Sequence, residues 1–161
     1  MTFSVEVVRS TRRRRTVGAR MVGAVLRVSV PSWMSAAEER RCVDEMVLRY
    51  EREQIAALVD LDERAAVLSR RYGLRRPTSI RWVDTMHTRW GSCTPSTGTV
   101  RISTRLAAFP KWVRDYVIVH ELAHLTHADH TPAFWRLVER YPMTERARGY
   151  LIARSGDDER E

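Results

Sequence analysis

The segment HELAHLTHADHTPAFW, His120 to Trp135, constrains the fold of this chain more than any other stretch. It holds four of the five histidines within eleven residues. Leu122, Ala123 and Leu125 between them are small or apolar, as a buried helix requires. Pro132 disfavours helical geometry at Thr131, and the Thr131 hydroxyl suits the N-cap of a following helix. The spacing therefore predicts a buried helix over Lys111 to about Thr126, a break near Ala128 to His130, and a second helix from Pro132. The break must lie close to the buried histidines, and the rest of the chain must fold around that constraint.

The same segment carries chemistry. His120, Glu121 and His124 form HExxH. Residues four apart on a helix lie about 40° apart and one turn along, so both imidazoles can meet one ion. Neutral imidazole is a good zinc ligand, and catalytic zinc commonly takes three protein ligands plus water. Glu121 leaves the helix about 100° from His120, beside the ion, where it can take a proton from zinc-bound water and pass it to a leaving group. For the third ligand His130 is favoured, because the break can swing it back toward the ion. His127 stands ~10.5 Å along the axis from His120 if the helix continues, and Glu139 is a further candidate. His87, alone near Trp90, reads as structural or exposed.

Elsewhere the pattern is simpler. Phe3 to Val30 is extended, with VLRVSV alternating before Pro31. Ser35 and Glu38 form a capping box ahead of Cys42, Val43, Met46, Val47 and Tyr50 at helical spacing. DERAAVLSRRYG is a second helix with Gly73 as its C-terminal cap. A strand is expected beyond Pro77, then RWGSCTPSTGTVRIS as two extended pieces around a turn at Pro95 to Gly98. A final helix, TERARGYLIAR, precedes a charged tail. Strands, helices, strands and helices in that order argue for α+β.

The net charge of +8 sits in two stretches, residues 1–30 with seven arginines against one acid and residues 75–115 with eight bases against two acids. Lys111 is the only lysine beside 27 arginines, a skew that reads as codon bias, so nucleic-acid binding through these segments is not favoured. Two cysteines, Cys42 and Cys93, are too few for a disulfide scaffold. Arg20 and Arg27 interrupt the apolar stretch after Arg12 to Arg15, against an export signal, and no run suits a membrane span. A cytoplasmic monomer is expected.

The run from Arg89 to Trp135 closely resembles the YgjP-like metallopeptidase family, minimal zincins related to SprT-like proteins. The matches are RWGSC at Arg89 to Cys93, Arg105-Leu106, DYVIVHELAHL at Asp115 to Leu125, and His130 with Phe134-Trp135. The resemblance implies one Zn²⁺ held by His120, His124 and His130, Glu121 as catalytic acid/base, and a small zincin-like (minigluzincin-type) fold. In that fold a mostly antiparallel sheet packs on the HExxH helix. Where the family has Asn before RL this chain has Ser103, and where it has NHS this chain has Asp129-His130-Thr131. Arg89, Arg105 and Ser103 are candidates for substrate or oxyanion contacts. Cys93 reads as a small buried apolar residue.

The expectation is therefore a single zincin-like domain over 1–152, catalytic core about 78–152, with a tail over 153–161. Its function is zinc-dependent hydrolysis of a polypeptide. The alternatives are a nucleotide phosphoanhydride hydrolase gripping its substrate with arginines, and a DNA-associated zinc module. Val100 to Thr104 is expected to be an exposed edge strand that pairs with an extended peptide, Val100 and Ile102 facing the core and Arg101 and Ser103 facing out.

Overall fold

A computed structural model describes residues 3–155. The chain divides into two compact units, residues 1–51 and 52–161.

In the first unit, β1 (Ser4–Ser10) and β2 (Gly18–Val22) flank β3 (Val25–Pro31). β1 runs parallel to β3 and β2 antiparallel to it. The alternation in VLRVSV does what period two requires: Leu26, Val28 and Val30 are fully buried and form the centre of a small core with Phe3, Met21, Val43 and Met46. β1 has no such alternation of burial and is exposed along most of its length. Helix α1 (Ala36–Ala56) opens on the expected capping box. The Ser35 amide and hydroxyl donate to the Glu38 carboxylate at 2.9 and 2.6 Å, and the Glu38 amide donates back to the hydroxyl at 3.3 Å.

The second unit holds the histidines. Helix α2 (Leu61–Tyr72) starts at Asp60, whose carboxylate accepts from the Glu63 amide, and ends at Gly73 with φ +62°, as its sequence signals require. Strands β4 (Ser79–Val83), β5 (Gly91–Thr94) and β6 (Thr99–Ser103) form a sheet ordered β4-β6-β5. A 3-10 helix, Thr104–Ala108, leads to α3 (Lys111–His124), followed by α4 (Pro132–Val138) and α5 (Thr144–Ser155). The core is built around α3, whose Val113, Val117, Ile118, Leu122 and Ala123 pack with Leu68 of α2, Val100 and Ile102 of β6, Phe134 of α4 and Leu151 of α5.

The α+β class is the one read from the sequence, with two differences. Each sheet is mixed, not mostly antiparallel: β4 pairs with β6 parallel, β5 with β6 antiparallel. The second difference concerns Val100 to Thr104. β6 is the central strand, hydrogen-bonded on both sides, so it cannot offer an edge to a peptide. Val100 and Ile102 are buried and Arg101 exposed as expected, but Ser103 is buried too. Its side chain turns to cap the 3-10 helix, accepting from the Arg105 amide at 3.3 Å. The expected tail also begins late, since Ala153 to Ser155 complete α5; the rest of it lies outside the described residues.

Candidate metal centre and catalytic cleft

The helix carrying HExxH ends at His124, and the amides of Leu125, Thr126 and His127 close it by donating hydrogen bonds back to the carbonyls of Leu122 and Ala123. The chain then turns, and Thr131 caps α4 by accepting from the Phe134 amide, with Pro132 at the first helical position. This turn carries His130 back over α3. One ring nitrogen from each of His120, His124 and His130 lies within 4.8 Å of the others. His120 Nε2 faces His130 Nε2 at 3.1 Å.

Packing fixes the rings. Phe134, fully buried, stacks on His124 at 4.4 Å and meets His120 edge-on at 4.9 Å. Trp135 stacks on His130 at 5.7 Å. His124 Nδ1 lies 3.1 Å from the His127 carbonyl oxygen. Donation of the Nδ1 proton to that carbonyl leaves Nε2 with its lone pair, the arrangement a metal-binding imidazole needs. His127 thus contributes through its backbone. His120 Nδ1 is buried with no hydrogen-bond partner among the described residues.

Burial favours the neutral form of two of these rings. Burial, then the charges of His124, His130 and Arg148, push His120 down to about 3. Burial also lowers His124, opposed by its bond to the His127 carbonyl. Imidazole nitrogens converging on one point are a donor set that suits zinc.

Glu121 projects from the next position on α3 and is 6% exposed. Burial pushes its carboxyl up to about 8, with the Arg89 guanidinium pulling the other way. Gly91 of β5 explains how the carboxylate fits. A Cβ at Gly91 would lie 2.7 Å from Glu121 Oε1 and 2.8 Å from its Cγ, so the glutamate occupies the space a side chain would take. The glycine of RWGSC is there for close approach.

These groups line one cleft of about 710 Å³, floored by α3 and walled by residues 88–93 and by α5. Of the sequence candidates, His120, Glu121, His124, His130 and Arg89 line it. Arg105 does not. Its guanidinium lies 4.0 Å from the centre of the Trp90 ring and donates to the His87 carbonyl at 2.6 Å, clamping the chain that enters β5. Ser103 is also outside the cleft lining, held in its cap. Cys93 lines the cleft, but burial, with the Glu121 charge adding to it, pushes its thiol up to about 11. That shift favours the thiol over the thiolate.

Two cleft residues escape sequence reasoning. Tyr116, one turn before His120, meets that ring edge-on at 6.0 Å and is 6% exposed. Its helical spacing was the available signal. Arg148 of α5 also lines the cleft, and nothing in its local sequence separates it from Arg146 or Arg154.

Comparison with known proteins agrees with this geometry. The family description "YgjP-like, metallopeptidase domain" matches residues 24–153. No curated protein matches the chain. Two solved structures are similar in fold. One is the metallopeptidase zymogen abylysin of Pyrococcus abyssi, with a TM-score of 0.53 and 19% identity, covering 59% of this chain and 94% of that one. The other is the metallopeptidase zymogen jannalysin of Methanocaldococcus jannaschii, with a TM-score of 0.51 and 18% identity, covering 60% and 97%.

Proposed function

This chain belongs to the YgjP-like metallopeptidase family, and from that premise we propose that it is a zinc peptidase acting on extended polypeptide, with Glu121 as its proton carrier. The observation that carries the reading is the convergence of three imidazoles within 4.8 Å beside a buried carboxylate in one cleft. His120, His124 and His130 would hold the ion. Zinc bound there supplies a Lewis acid that polarises a scissile carbonyl and acidifies water.

The chain's own groups do the rest. Glu121, locked between α3 and the backbone of Gly91, takes a proton from the attacking water and returns it to the departing amine. Its raised pKa suits both halves of that exchange, since a group poised near neutrality can accept and release within one turnover. Arg89 is exposed, lies near enough to influence Glu121, and makes no hydrogen bond or ion pair among the described residues. It is available to an oxygen that gains charge during attack.

β5, at the sheet edge, is the strand that borders the cleft. The Ser103 amide donates to the Trp90 carbonyl at 2.9 Å. Antiparallel pairs alternate every two residues, so Gly91 and Cys93 aim their main-chain groups away from β6, toward the open edge. An extended peptide adding there gains main-chain hydrogen bonds with little side-chain selectivity. The natural compartment in this reading is the cytoplasm. Cys42 and Cys93 are unpaired, and among the described residues no helix is long and apolar enough to cross a membrane.

The test is metal analysis with a substrate panel. One zinc per chain is expected. It should be lost from His120→Ala, His124→Ala and His130→Ala and kept in His127→Ala and Glu121→Gln, the last without hydrolysis. Full zinc in His130→Ala would move the third ligand elsewhere. Turnover of nucleotide phosphoanhydrides with none of peptides or proteins would overturn the peptidase reading.

A further inference from the structure

The cleft has an unusual charge balance for a site that handles neutral main chain. Glu121 is the sole acid among the described residues that line it, and that carboxylate is buried against Gly91. Two guanidiniums line the same space, Arg89 beside Glu121 and Arg148 beside the histidines.

Arg148 is held in place. Its guanidinium carbon lies 4.8 Å from the centre of the Trp135 ring, and that ring lies 5.9 Å from His120 and 5.7 Å from His130. The same indole therefore orients one metal-ligand candidate and carries the cation. Two such steps bound the separation of the guanidinium from the His120 ring at under about 11 Å, roughly three residues of extended chain. The remaining partner of Arg148 is weak. Its NH1 meets Glu145 at 3.2 Å across one helical turn, with the two side chains 39% and 82% exposed. A surface pair of that kind is readily exchanged for another carboxylate. Guanidinium also offers a planar two-pronged donor set that matches a carboxylate. Leu151 and Ile152 beside it supply apolar surface for the stem of such a ligand.

We infer that Arg148 is a specificity residue that selects peptides bearing a carboxylate within three residues of the scissile bond. This rests on the peptidase reading above and adds to it the class of substrate. The carboxylate has two sources, an Asp or Glu side chain or the free C-terminus of the peptide.

The experiment uses matched peptides, Asp or Glu against Asn or Gln near the cleaved bond, each with a free and an amidated C-terminus. Cleavage is followed with the zinc-loaded protein and binding by calorimetry with the metal-free protein. The parent should prefer the carboxylate form, and the peptide pair that responds identifies the source. Arg148→Gln should lose about tenfold or more in kcat/KM for that form, mainly through KM, with a matching loss of binding. Its neutral counterparts should change less than twofold. Arg148→Lys, which keeps the charge but not the fork, should recover part of the preference, and zinc content should be the same in all three proteins.

Equal losses on carboxylate and neutral peptides, or no loss on either, would overturn the inference while leaving the peptidase reading intact. So would Arg148-dependent binding of inorganic pyrophosphate without any peptide preference. A parent that cleaves no peptide would count against the peptidase reading, and the metal-free binding series would still decide the role of Arg148.

Discussion

Replacing Glu121 by Gln should stabilise the metal-free protein, and by an amount that depends on pH. In the folded chain burial pushes this carboxyl from 4.5 up to about 8. A folded pKa above the unfolded one means that the neutral group's contribution is fully present below about pH 4.5. It is lost as pH rises through 8. One pKa unit corresponds to about 1.4 kcal/mol, so the loss is near zero at pH 4, about 3 kcal/mol at pH 7 and about 5 kcal/mol at pH 9. Glutamine keeps the shape that fits beside Gly91 and has no charge to desolvate. Histidine titration enters parent and variant alike and cancels in the difference. Urea unfolding in the presence of a chelator measures it. At pH 7 a gain of about 3 kcal/mol corresponds, in a parallel thermal melt, to a midpoint roughly 6–12 °C higher for a chain of this size. Saturating zinc should shrink the gap, because a cation beside the carboxylate favours its ionised form. A gap that does not change between pH 4 and pH 9, or a variant less stable than the parent at pH 9, would refute the claim that burial of an ionisable Glu121 strains the empty site.

Four further outcomes follow from the packing. Gly91→Ala places a methyl 2.7 Å from Glu121 Oε1; it should cost about 1–3 kcal/mol in chemical denaturation and lower kcat at unchanged zinc content by displacing the carboxylate. Cys93→Pro removes an amide that faces the open edge of β5 and should raise KM for peptides while leaving fold and zinc affinity intact. Ser92→Pro removes a ladder bond to β6 and should destabilise the sheet. Asp115→Ala strips the buried partner from Arg64, which donates to it twice at 2.7 and 2.5 Å. It should cost about 3 kcal/mol in urea unfolding, with zinc binding retained if the loss is confined to the α2–α3 contact.

Most of what local rules govern was legible in the chain. The capping box at Ser35, the Asp60 and Gly73 ends of α2 and the Thr131-Pro132 start of α4 are decided by hydrogen bonds within a few residues. The bend that returns His130 to His120 follows from the same rules, and so the histidine triad could be read before any tertiary contact was known. The apolar run of α3 likewise announced its burial.

What the chain did not disclose depends on partners far away in sequence. Val100 and Ile102 alternate correctly with Arg101, yet alternation reports only which face is buried, never how many neighbours a strand has. β6 became central because β4 pairs with it in parallel, Ser79 opposite Thr99 through Val83 opposite Ser103, partners twenty positions apart in sequence. That pairing leaves β5, not β6, at the sheet edge beside the cleft. Gly91 shows the same limit from the other side. The motif RWGSC marks the glycine, but its purpose appears only when Glu121, thirty residues on, fills the space its side chain would have taken. Arg148 is hidden more completely, one arginine among 27, selected by the position of Trp135. In this fold the histidine triad is written locally, whereas the other residues that line the cleft are brought there by the packing of β5 and α5 around α3.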